Sequence, residues 1–120
     1  MEASLLILNV LFAVLVHEAA HYLTAVFFGI QVKRVFIGWR GVGIVREQGP
    51  PFDDLMVSLA GPGINLAFAL LTFPGGGAFF TANLCFGVCN LLPLRGSDGS
   101  RALWCLNKMT ELKTRARCAR

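Results

Sequence analysis

His17-Glu18-Ala19-Ala20-His21 sets two imidazoles four residues apart with a carboxylate between them. On a helix, positions i and i+4 share a face. Both rings can therefore grip one ion while Glu18 stands beside it. Zn²⁺ suits such a pair, because it lowers the pKa of a bound water and polarises a carbonyl. Glu18 is then the candidate general base, taking the water's proton during attack on a peptide bond and passing it to the leaving amine. A zinc ion that keeps one position open takes three protein ligands. The pentapeptide holds both histidines of the chain, so the third ligand is of another type. Asp98 is the best candidate: it follows a helix break, and Gly96 and Gly99 on either side let the backbone turn its carboxylate inward. Glu47 is the other available carboxylate, but it lies in a connector rich in Gly and Pro. Asn65 and Asn90 are amides within apolar stretches. Either can hydrogen-bond a substrate backbone or a developing oxyanion, or link one helix to another.

The segments that must position these groups read as membrane helices. Only 15% of the 120 residues are charged, and the mean hydropathy is +0.62. An ordinary soluble domain carries about 25% charge. Residues 3–30 contain no Lys or Arg and one acid, Glu18, and residues 55–94 contain no charge at all. Spans are expected at about 5–28, 55–73 and 78–92, with Gly29 as a helix stop, Pro74-Gly75-Gly76-Gly77 as a turn and Pro93 as a break. Between the first two spans, Val32, Phe36, Ile37, Val42, Ile44 and Val45 favour strands, interrupted by Gly38, Gly41 and Gly43. Pro50-Pro51 closes this connector, and Asp53 or Asp54 is positioned to cap the next helix. A final amphipathic helix is expected from Arg101 to about Leu112, with Trp104 at the membrane interface. Cys85 and Cys89 read as small, buried, reduced packing residues. The whole chain, 1–120, reads as one domain: an all-α membrane protein of three transmembrane helices with a short strand-like, membrane-associated connector.

Ionisable side chains inside an apolar span are costly and usually functional, which sharpens the reading of His17, Glu18 and His21. The start, Met1-Glu2-Ala3-Ser4, lacks the basic n-region of a signal peptide, so the first span reads as retained. The connector carries Lys33, Arg34, Arg40 and Arg46, and the tail carries Arg101, Lys108, Lys113, Arg115, Arg117 and Arg120. Positive segments stay on the cytoplasmic side, which puts the candidate site toward that face of a multi-pass protein. No nucleic-acid recognition fold accompanies the basic tail. A metal transporter wants polar residues across the full membrane depth, and the third span offers only Asn83 and Asn90.

Three segments, in order, resemble the site-2 protease family of intramembrane zinc metalloproteases, which includes the sporulation-type proteases of bacteria. His17-Glu18-Ala19-Ala20-His21 is similar to the zinc motif of the family's first core helix. Ala60-Gly61-Pro62-Gly63-Ile64-Asn65 is similar to its glycine-to-asparagine motif. The stretch from Asn90 through Pro93 to Asp98-Gly99 is similar to its Asn-x-x-Pro-x-x-x-x-Asp-Gly motif. The resemblance implies one zinc ion held by His17, His21 and Asp98, Glu18 as general base, and Asn65 and Asn90 as substrate-positioning or oxyanion-stabilising groups. It implies a substrate that is a membrane-spanning or membrane-adjacent segment of another protein, cut in a bacterial inner membrane. The family's usual Pro-Leu-Asp-Gly-Gly is here Gly96-Ser97-Asp98-Gly99-Ser100. Three spans are few to gate water and substrate, which fits a minimal member, a piece of a longer chain, or dependence on self-association or a membrane partner. The alternative is a zinc-binding membrane protein that does not cut and serves as a regulatory or assembly subunit, since it keeps the same ligands.

Overall fold

The computed structural model describes residues 2–39 and 41–119. Their order is α1 (Glu2–Phe27), β1 (Val32–Gly38), β2 (Gly41–Arg46), α2 (Pro51–Thr72), α3 (Gly77–Leu91) and α4 (Asp98–Cys118). The fold is thus helical, with one small antiparallel hairpin. Of the three spans expected, α1 and α2 are long and apolar enough to cross a bilayer. The third, α3, has 15 residues, about 22 Å of helix against a hydrocarbon core of about 30 Å.

The boundaries follow local chemistry. α1 ends on Gly29, whose φ of 70° is the left-handed conformation of a helix C-terminus. There Ile30 N–H donates to the Ala25 carbonyl at 2.8 Å and Gly29 N–H to Val26 at 3.0 Å. α2 starts at Pro51, earlier than expected, because proline at the first helical position has its φ preset and no N–H to satisfy. Asp53 and Asp54 therefore lie inside the first turn and do not cap it. α4 also starts earlier than expected and runs further. Ser97 is its cap, accepting from Ser100 N–H at 3.2 Å, and Arg115 and Arg117 complement the dipole of its last turn.

α2 is the central element, packed against α1, α3 and α4. Small residues allow this: Ala13, Ala25, Ala69 and Ala82 are buried at the helix contacts. At Gly87 a Cβ would lie 2.9 Å from the Leu66 side chain and 3.2 Å from the Pro62 carbonyl, so α3 meets α2 there with no room for a methyl group. The hairpin pairs Val35 with Ile44 and Phe36 with Gly43. Its exit is anchored by a buried ion pair between Arg46 and Asp54, whose carboxylate also accepts from Gly49 N–H at 3.2 Å.

The distribution of polarity is inverted relative to a water-soluble domain. His17, His21, Asp54, Ser58, Asn65 and Asn83 are buried, while Leu8, Leu15, Leu23, Leu70 and Leu71 are exposed. Large exposed apolar surface around a polar interior fits a lipid environment. Cys85 and Cys89 face outward on α3, correcting the expectation of burial. Cys105 on α4 is the buried thiol, and all four cysteines are free.

Candidate metal centre

His17 and His21 project from one face of α1 into the contact with α2, where they are 2% and 6% exposed. Their rings stand nearly perpendicular, with centroids 4.7 Å apart, and the Phe86 ring closes against His17 edge-on at 5.1 Å. Each Nδ1 is engaged by an oxygen. His21 Nδ1 lies 2.6 Å from the Val57 carbonyl, which can only accept. His17 Nδ1 lies 2.7 Å from Asn65 Oδ1. The orientation of that amide is set by its other end, since Asn65 Nδ2 donates to the Ala13 carbonyl at 3.0 Å and to Asn83 Oδ1 at 2.9 Å. Asn83 is fixed in turn by donating to the Phe79 carbonyl at 3.0 Å. Both histidines thus carry their proton on Nδ1, which leaves both Nε2 atoms as lone-pair donors.

Those two Nε2 atoms are 3.1 Å apart, and Asp98 Oδ2 lies 3.0 Å from His17 Nε2 and 3.2 Å from His21 Nε2. Three electron-pair donors from α1 and the first turn of α4 therefore converge with no proton to share. A bound cation resolves that arrangement. Zinc bonds of about 2.0–2.1 Å at tetrahedral angles set ligand atoms about 3.3 Å apart, close to the observed triangle. The facing wall is Gly61 of α2. A Cβ there would lie 2.7 Å from His17 Nε2 and closer still to His21 Nε2, filling the space between the ligands. Donor set, spacing and the cradle at Gly61 all fit a metal ion, and the cluster can coordinate one.

Asp98 reaches the histidines because α4 starts hard against the end of α3. A Cβ on Gly99 would collide with the Leu91 carbonyl and lie 2.9 Å from the Leu92 oxygen. Gly96, with φ of 86°, makes the turn into the helix. Beside the triad is a cleft of about 180 Å³ lined by Glu18, His21 and Asp98, with Gly43 and Ile44 of β2 on its far side. Asn90 does not line it; its amide donates to the Phe86 carbonyl of its own helix at 2.8 Å. Glu47 is not among the converging ligands and pairs with Lys33 at 3.4 Å. Asn65 is fully buried, and its amide is spent on His17, Ala13 and Asn83. Sequence reasoning placed Gly61 in the segment that resembles the family's glycine-to-asparagine motif without a role at the ion, and read Asn83 only as a polar residue of the third span. Asn83 carried a signal, because a buried amide in an apolar helix is expensive without partners. The Val57 carbonyl carried none, since every residue has one.

Compared with known protein families and with curated proteins, the chain matches none. The site's geometry and chemistry therefore carry the functional argument.

Proposed function

We propose that this chain is a zinc-dependent intramembrane endopeptidase of the site-2 protease type. The observation that carries the reading is the convergence of two Nδ1-protonated histidines and the Asp98 carboxylate in front of Gly61, with Glu18 on the same cleft. His17, His21 and Asp98 hold the ion. When bound, zinc supplies Lewis acidity toward a water and a peptide carbonyl. Glu18 accepts the proton released by the attacking water and returns it to the departing amine. Asn65 keeps His17 in the right tautomer, and the Val57 carbonyl does the same for His21. Asn90 supplies an amide to the developing oxyanion if it turns from its own helix toward the cleft.

The substrate in this reading is a membrane-spanning or membrane-adjacent segment of another protein. It must be extended locally, because an intact helix hides its carbonyls in internal hydrogen bonds. α3 completes a three-span core through its packing on α2, and self-association or a membrane partner gates the site. The positive charge of the connector and α4 supports a cleft on the cytoplasmic side, and the membrane in this reading is a bacterial inner membrane.

The test is metal analysis beside cleavage of a synthetic transmembrane peptide by protein in liposomes. The wild type is expected to hold one zinc and to cut. Glu18→Gln is expected to keep the zinc and to lose about 100-fold or more of the rate, as removal of a general base does. Zinc without cleavage in the wild type would instead mark a non-catalytic binding protein. Undiminished cleavage by Glu18→Gln would remove Glu18 from the mechanism.

A further inference from the structure

A second cavity, about 270 Å³, lies between the exit of β2, the start of α2 and the first turns of α4. Arg46, Ser58 and Arg101 line both this cavity and the cleft beside the metal ligands, so the two spaces share a wall. The chemistry of the cavity is uneven. Arg46 is cancelled by its buried ion pair with Asp54, and Glu47 is engaged with Lys33. Arg101 takes part in no ion pair among the described residues and is exposed. Ser58 is 2% exposed, and its hydroxyl is the one buried side-chain polar atom without a hydrogen-bond partner among the described residues. A buried hydroxyl left unpaired is unfavourable, so a partner entering the cavity is favoured.

One uncompensated guanidinium and one unpaired hydroxyl, next to a candidate peptide-cutting centre, complement a single carboxylate on a flexible stem. We propose that this cavity is a specificity subsite that takes an acidic side chain of the substrate, close to the bond held at the metal centre. Arg101 and Ser58 read that side chain. A phosphate favours a second unpaired cation, and the other guanidinium of the lining, Arg46, is taken up by Asp54; the shared wall leads to the cleft. The inference rests on the proteolytic reading for its substrate, but the subsite can be tested separately by binding.

The experiment uses synthetic transmembrane peptides that carry Glu, Gln, Leu or Lys at one position near the cut bond. Cleavage is read as kcat/KM with the wild type. Binding is read with Glu18→Gln in a Trp39→Phe background, where fluorescence comes from Trp104 on the cavity rim. Zinc content is measured throughout. The Glu peptide is expected to exceed the Gln peptide by about 10-fold in both measurements, the size of one charge-assisted hydrogen bond. Arg101→Glu is expected to turn the preference toward Lys, and Ser58→Ala to narrow it, with zinc retained in both. Equal treatment of all four peptides would overturn the subsite, as would a Glu preference that survives Arg101→Glu. A Trp104 response to anionic phospholipid vesicles without peptide, lost in Arg101→Glu, would also overturn it by naming a lipid headgroup as the occupant. Glu-selective binding with no cleavage of any peptide would uphold the subsite while sinking the protease reading.

Discussion

Gly61 is the residue on which the metal centre most narrowly depends. Its hydrogen stands where any side chain would enter the space between His17 Nε2 and His21 Nε2. Alanine is a better helix former than glycine by about 1 kcal/mol, so Gly61→Ala leaves α2 no weaker as a helix while obstructing the ion. The expected result is unchanged helical content by circular dichroism and a fall in zinc affinity of roughly 100-fold, the upper end of what disturbing a ligand's surroundings costs. Full zinc affinity in that variant would mean that the ion does not sit between the two imidazoles. Asn65 contributes differently. It touches no open space, and its effect on the ion passes through the tautomer of His17.

Among the described residues, a buried ion pair joins the end of the hairpin to the first turn of α2. Arg46 and Asp54 have side chains only 7% and 6% exposed. Removing one partner leaves a charge in a poorly solvated place, at a cost of about 3–5 kcal/mol. Asp54→Ala is therefore expected to lower the melting temperature in detergent and to make the 47–50 connector sensitive to protease. Replacing both partners by apolar residues of similar volume should recover most of that loss, because no uncompensated charge remains. If Asp54→Ala resists heat and protease as the wild type does, the hairpin is held by something else. The ion pair also bears on the cleft beside the metal ligands, which Gly43, Ile44 and Arg46 help to line.

The molecule as a whole is a polar interior wrapped in apolar helix surface, and its thiols report that placement. Cys85 and Cys89 are exposed on α3, in a stretch without charge, whereas Cys118 is exposed at the basic end of α4. Burial pushes the Cys105 thiol up, which keeps it protonated. In liposomes, a membrane-impermeant maleimide is expected to modify Cys118 and to spare the other three until detergent is added. Detergent should then expose Cys85 and Cys89 but not Cys105. Rapid modification of Cys85 or Cys89 in intact liposomes would place that face of α3 in water and argue against a bilayer around it.

Much of this was legible along the chain. Apolar runs without Lys or Arg announced α1 and α2, Gly29 announced the end of α1, and the strand formers on either side of Gly38 and Gly41 announced the hairpin. Hydropathy, glycine conformation and helical spacing are properties of neighbouring residues, and they act before any tertiary contact forms. Ser97 as the cap of α4 was less plain, because it followed a run of turn-forming residues that read equally well as a loop. The pairing of His17 with Asp98 joins residues 81 apart. Local preference carries no information on such a distance. It arose from the packing of α2 against its neighbours, the tight start of α4 at Gly99, and the missing side chain at Gly61. The tautomers of the histidines were likewise decided in three dimensions, by which oxygens the folded chain brought to each Nδ1.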